Sequence, residues 1–289
     1  MDNTSVAVSN NAGKSGLGRV KGLVPGFIRD VLRPAPKTQW QMSTTTGFFR
    51  NEPQLSVVTS IRPKPLKIFV FGCSDGCEAY SIAMAYKDLN PATPLKISGW
   101  DIEEPCIQRA RAAVYKQEQL DYYRTNAPEI RAKQRYFESS GAGAFKVKSE
   151  ITGMCSFEIG SILDAGFMAG VGTADIVFCQ NVLVHLPGEA KAQAVENLCK
   201  TVRPDGLLAI GGMRPASREA IALKQGLKPI TDKCEEIHNS WIDLRALWDN
   251  NWFWQRPYYA LEPFRKCSHW EHRYGSLFFL PSRTAAASK

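Results

Sequence analysis

The residues that could do chemistry in this 289-residue chain begin with KIFVFGCSDGCEAYS (67–81), an apolar run stopping at Gly72, a polar turn, and a helical stretch opened by Glu78. A strand that ends in glycine lets a ligand approach the backbone, and the helix after it presents unpaired N–H groups. A glycine pair in a G-x-x-x-G turn is weak by itself. Asp101 strengthens it, because it stands 29 residues after Gly72 at the end of a second apolar run, LKISGWD (95–101). In open α/β sheets ligands bind outside the carboxyl ends of the strands, where an acidic side chain can accept both hydroxyls of a ribose. Gly72 and Asp101 together point to a nucleoside. The turn has neither the G-x-G-x-x-G pyrophosphate fingerprint nor a G-x-x-x-x-G-K-[ST] run. Glu78 would repel a phosphate and suit a cation. S-adenosylmethionine, which has no phosphate but carries a sulfonium and an ammonium, fits these charges best.

The elements that must position these residues alternate along the chain. LKIFVFG (66–72), EAYSIAMAYKDL (78–89), LKISGWD (95–101), a helix from about Pro105 to Val114, ADIVFCQNVLVHL (174–186), a helix over 188–202 and GLLAIGG (206–212) read as strands separated by helices. That alternation predicts crossover units and a doubly wound, Rossmann-like parallel sheet. Two segments break it. The first, a small lobe over about 116–155, is read as antiparallel, with short strands in FKVKSEI (145–151) and CSFEIGSI (155–162). The second, about 213–273, is an insert carrying Trp241, Trp248, Trp252, Phe253, Trp254, Tyr258, Tyr259, Phe264 and Trp270. A last alternating run, YGSLFFLP (274–281), is expected to return as an edge strand. Residues 1–43 are read as a disordered leader with one short helix over 23–32, and 44–289 as the catalytic domain.

Composition restricts the setting. With 22% charged and 44% hydrophobic residues the chain is of soluble globular type and large enough to bury a sizeable core without disulfides. The net charge of +8 is lopsided: nine Lys/Arg face three Asp/Glu up to Lys64. A basic arm on a near-neutral body is weak evidence for nucleic acid, and the arm lacks the interleaved aromatics that would stack on bases. No window approaches a membrane span and no apolar signal-peptide core is present. The eight cysteines have no paired short spacing, which favours a reducing cytoplasm. His269 and His272, with Cys267 nearby, form no convincing ligand set, and no metal is expected.

Several ordered segments resemble one family. TTTGFFR (44–50), GCSDGCEAYSIAM (72–84), GWDIE (99–103), AVYK (113–116), RYF (135–137), FCQNVL (178–183) and VRPDGLLAIGG (202–212) are similar, in order and spacing, to the CheR family of S-adenosylmethionine-dependent methyltransferases. The resemblance covers about residues 44 to 212 and resumes in 274–281. It implies a cofactor site built from Thr44, Thr46, Arg50, Gly72, Glu78, Asp101, Ile102, Ser161, Ile162, Gln180 and Asn181. Glu78 would take the methionine end, Asp101 the ribose, Ser161 and Ile162 the adenine region, and Gln180 and Asn181 the rim of the methyl site. Arg50 and His185 would be the catalytic pair, His185 as a base or substrate anchor.

The chain departs from the receptor-modifying members at three places: Gln180 stands where they usually carry Arg and His185 where they carry Tyr, only about 43 residues precede TTTGFFR, and the insert is about 60 residues long. These changes all fall on substrate recognition. They lead to the expectation of a small-molecule acceptor, methylated on oxygen in preference to nitrogen, in specialised metabolism. Trp241, Trp252 and Trp254 would line its pocket if the insert is a lid, or join a homo-oligomer if it is an interface. The alternatives are a CheR-type protein carboxyl methyltransferase, whose small lobe would hold a partner peptide by strand addition, and a non-catalytic cofactor-binding protein.

Overall fold

The computed structural model describes residues 46–92, 94–117, 120, 134–246 and 262–280, with only the backbone of 241–246. The expected leader, the helix over 23–32, Thr44, Trp252, Trp254 and the side chain of Trp241 lie outside the described residues. Five strands form the parallel part of the main sheet: β1 (Lys67–Phe71), β2 (Lys96–Asp101), β6 (Cys155–Ile159), β7 (Ala174–Gln180) and β8 (Val202–Gly211). Two short strands, β9 (Lys228–Pro229) and β10 (Leu277–Phe279), complete it in the order β6-β2-β1-β7-β8-β10-β9. The pairs β6/β2, β2/β1, β1/β7 and β7/β8 are parallel, and β10 runs antiparallel to both neighbours.

Every residue of β7 is buried, as expected of a strand covered on both faces. Side chains alternate between two cores because successive residues of a strand point to opposite faces. Ile68, Val70, Ile176 and Phe178 join the core under α1 (Glu52–Ile61), α2 (Cys77–Leu89) and α3 (Glu104–Ala112). Phe69, Phe71, Val177 and Cys179 join the core under α6 (Gly188–Thr201) and α7 (Pro215–Lys224). Helices on both faces of a mostly parallel sheet make the doubly wound architecture read from the sequence.

The small lobe is a second, antiparallel sheet of β3 (Val114–Lys116), β5 (Ala144–Val147) and β4 (Phe137–Ser139), in that order. Phe48 ties it to the body in edge-on contacts, its ring centre 4.9 Å from that of Tyr115 and 5.2 Å from that of Phe137. Two strand expectations are corrected. Cys155–Ile159 pairs parallel with β2 in the main sheet, so CSFEIGSI is not part of the lobe. Leu277–Phe279 is not an edge, because β9 from the insert lies outside it, and the edge position suits Pro229, which has no N–H to donate.

The described part of the insert is itself packed. Besides α7 and β9 it forms α8 (Cys234–Ala246) and a short α9 (Trp270–Tyr274). Phe264 stands 5.5 Å from Trp270 and 5.0 Å from Tyr274, and His238 4.8 Å from Tyr274. The buried Arg218 donates to the carbonyls of Tyr274, Gly275 and Met213 at 3.0, 3.0 and 3.2 Å, binding insert and sheet together. Phe264 and Trp270 therefore serve as packing.

Candidate active site

Strand order reverses between β1 and β7, and the crevice outside their carboxyl ends is where a doubly wound sheet takes its ligand. Gly72 ends β1 with φ 71°, donating its N–H to Trp100 O at 2.7 Å. A Cβ at this position would lie 2.0 Å from Val182 Cγ2, so the turn after β7 closes on a surface that only glycine leaves free. Gly76, with φ 88°, is the N-cap of α2 and sends the chain into the helix that carries Glu78. The two glycines therefore create the turn that aims α2 at the crevice.

Asp101 holds the neighbouring turn. Its carboxylate accepts from Ser74 N at 2.8 Å and Glu103 N at 3.1 Å, fixing the β1–α2 and β2–α3 turns against each other. Burial raises its pKa, and those N–H donors oppose the shift. Ile102, 36% exposed, follows it as an apolar lip, and Ile159 at the end of β6 is another, 46% exposed. The main chain then brings Ser161 and Ile162 alongside, since Gly160 N donates to Asp101 O at 3.0 Å. Ser161 Oγ accepts from Leu163 N at 3.2 Å, and Ile162 O accepts from Asn197 Nδ2 at 2.8 Å. Acid, apolar lips and ordered loop stand together at one side of the crevice, as a ribose and a flat base require.

The other side is charged. Gly47, Phe49, Arg50, Asn51, Gln54 and Glu78 are among the residues lining a cleft of about 390 Å³, counting the part open to solvent. Phe49, in the left-handed region at φ 51°, donates its N–H to Ser81 Oγ at 2.9 Å, which fixes the segment holding Thr46 and Arg50 onto α2. Burial pushes the Glu78 carboxyl up to about 7, with the Arg50 guanidinium pulling it back down. Arg50 is oriented by Asn181: with the amide oxygen turned toward it, Asn181 accepts from Arg50 Nη1 at 3.0 Å and also from Nη2. Asn181 itself sits at φ 57° directly after β7, and Gly212 makes the room, since a Cβ there would be 2.5 Å from Asn181 Cα. An acid and a base in one cleft, next to a ribose-type acid, fit a molecule whose one end is a zwitterion and whose other end is a nucleoside. S-adenosylmethionine has that form.

Of the expected site residues, Thr46, Arg50, Gly72, Glu78, Asp101, Ile102, Ser161, Ile162, Gln180 and Asn181 are drawn to this one edge of the sheet. His185 lies in a single 3₁₀ turn (Leu183–His185) after Asn181, partly buried, with Nδ1 unpartnered among the described residues. Burial lowers its pKa to about 4, so at neutral pH it is an uncharged and feeble base. The sequence reading missed Asn51, Gln54, Val182 and Gly212. Asn51 carried a legible signal, an N-cap residue followed by Glu52 and Pro53 in the first helical turn. The roles of Val182 and Gly212 come from close approach between distant segments, which local sequence does not encode.

Residues 44–224 match the family model described as CheR methyltransferase, SAM binding domain. The chain is 30% identical over 179 residues to a chemotaxis protein methyltransferase of Vibrio parahaemolyticus, covering 60% of this chain and 59% of that protein. To the probable biofilm formation methyltransferase WspC of Pseudomonas aeruginosa it is 32% identical over 169 residues, 58% of this chain and 37% of the other. With chemotaxis protein methyltransferase 1 of Vibrio cholerae the identity is 26% over 229 residues, covering 75% and 77%. The chain thus spans three-fifths or less of the first two relatives. Since the family model extends over more than half of the chain and takes in the glycine turn, Asp101 and the Asn181 strand end alike, the chain belongs to the CheR methyltransferase family.

Proposed function

We propose that the chain transfers a methyl group from S-adenosylmethionine to a side-chain carboxylate of a protein acceptor. When bound, the cofactor supplies a methyl carbon already activated by the positive sulfur beside it. Arg50 and Glu78 would hold its amino-acid end, Asp101 its ribose, and Ile102, Ser161 and Ile162 its base. The protein then has mainly to align the nucleophile and exclude water. His185 is the observation that carries the choice of acceptor. A hydroxyl or amine must give up a proton at transfer and gains from a base tuned near neutrality. The His185 imidazole, held near 4 by burial, is too weakly basic for that work. A carboxylate is ionised at pH 7 and needs no base. His185 would then act as a wall against the acceptor, without the proton-accepting role that a hydroxyl acceptor would call on.

The names of the matched relatives support the same reading, two of them being chemotaxis protein methyltransferases. A protein acceptor also gives the three-stranded lobe a use: its outer strands, β3 and β4, offer edges to which an extended partner segment could add. The test is incubation of the chain with methyl-tritiated S-adenosylmethionine and an extract of its source cells, followed by acid precipitation. Label is expected in the precipitated protein. Label confined to small molecules in the filtrate would contradict the proposal.

A further inference from the structure

Two buried polar atoms have no partner among the described residues, and they are of complementary kind: Asn51 Nδ2, a donor on a residue that lines the cleft, and Gln180 Oε1, an acceptor on the residue bonded to the cleft-lining Gln54. Gln180 is only 4% exposed. Unpaired buried groups of this sort are rare in native proteins, and each calls for a reason. The rest of both amides is engaged, so their orientation is fixed. Asn51 Oδ1 caps α1 by accepting from Gln54 N at 3.2 Å and also accepts from Ser240 Oγ at 3.3 Å. Gln180 Nε2 donates to Gln54 Oε1 at 3.0 Å, while Gln54 Nε2 donates to Ser276 Oγ at 2.8 Å. Asn51 and Gln54 line the cleft that Arg50 and Glu78 also line.

A peptide amide would satisfy the two unpaired atoms but brings no charge to a cleft lined by Arg50 and Glu78. An α-amino-acid group answers all four, because its carboxylate needs donors and its ammonium needs acceptors. We infer that Asn51 and Gln180 complete a subsite for the amino-acid end of the methyl donor, Asn51 Nδ2 donating to the carboxylate beside Arg50 and Gln180 Oε1 accepting from the ammonium beside Glu78. The inference rests on the cofactor reading given above. It adds to that reading two neutral side chains, tied together through Gln54, that sense the amino-acid end alone.

The experiment is calorimetric binding of two ligands, S-adenosylhomocysteine and 5′-methylthioadenosine, the second lacking the amino-acid end. The proteins are the full chain and its Asn51→Asp and Gln180→Leu variants. Asn51→Asp keeps an N-cap acceptor but replaces the donor with a negative charge, so α1 stays capped while the carboxylate is repelled. Both variants are expected to bind S-adenosylhomocysteine about tenfold or more weakly, the loss typical of one charge-assisted hydrogen bond. Their affinity for 5′-methylthioadenosine should stay within about twofold of the parent. Unchanged affinity for S-adenosylhomocysteine, or equal weakening of both ligands, would overturn the subsite. A parent chain that binds neither ligand would overturn the cofactor reading and the subsite with it.

Discussion

Arg50 and Glu78 meet in one cleft, and protons report what that meeting does. Glu78 has its pKa raised from 4.5 to about 7 by burial. In the unliganded protein its contribution to stability is therefore full below about pH 4.5 and is lost as pH rises through 7. An ammonium bound beside it would favour the ionised form and lower that pKa again. Binding of S-adenosylhomocysteine at pH 6.5 should then release a substantial fraction of a proton. Calorimetry in buffers of different ionisation enthalpy measures this, and the release should vanish at pH 8.5 and in Glu78→Gln. His185 titrates in the opposite sense. Its pKa is lowered from 6.5 to about 4, so its stabilising share is present above 6.5 and lost as pH falls through 4. His185→Phe should flatten the acid limb of a thermal-stability profile over that window and keep methyl transfer within about threefold, because no base is required. A loss of transfer of about a hundredfold or more would restore His185 as a catalytic base. At this scale Gly72, Glu78 and Asp101 were legible because each belongs to a local strand–turn–helix pattern. The bond from Asn181 to Arg50 was not, since it joins segments far apart in the chain and depends on Gly212 having no side chain.

Among the elements, the end of the sheet remote from the site is clamped by Asp175. Its carboxylate accepts from Leu66 N at 2.8 Å and Lys67 N at 2.7 Å and pairs with Arg203, aligning the starts of β1, β7 and β8. Asp175→Ala should cost about 2 kcal/mol of stability, read by denaturant melts, because two part-buried N–H groups lose a charged acceptor. Affinity for S-adenosylhomocysteine should be unchanged at temperatures where the variant is folded. Gly72→Ala should do the reverse of that separation: strain at φ 71° and a Cβ against Val182 distort the turn that faces the ligand, so binding should be lost together with stability. The alternation of strands and helices was readable because apolar periodicity marks each element. CSFEI was misplaced because a short alternating run looks the same at the edge of a parallel sheet as in an antiparallel hairpin. The inner position of β10 was hidden for a related reason: its outer neighbour, Lys228–Pro229, is two residues long and leaves no periodic signal.

For the molecule as a whole, two of the departures that set this chain apart, Gln180 and the described part of the insert, meet around Asn51 and Gln54. Gln180 is bound into a neutral amide network with Gln54, and burial lowers the pKa of the partly buried His185 to about 4, so both positions are uncharged at neutral pH. Ser240 from the insert donates to Asn51, Ser276 just before β10 accepts from Gln54, and the insert is held to the sheet by Arg218. Of the lopsided charge, six Lys/Arg against two Asp/Glu precede residue 46 and lie outside the described residues. No helix among the described residues is long and apolar enough to cross a membrane. What remains to decide is the bond that forms. Protein labelled with methyl-tritiated cofactor should be treated with mild alkali and the volatile product counted. Carboxyl transfer predicts that the label leaves as methanol, as a methyl ester must when hydroxide attacks it. Label that stays on the protein in alkali would place the methyl on nitrogen or on a hydroxyl oxygen and would contradict the account.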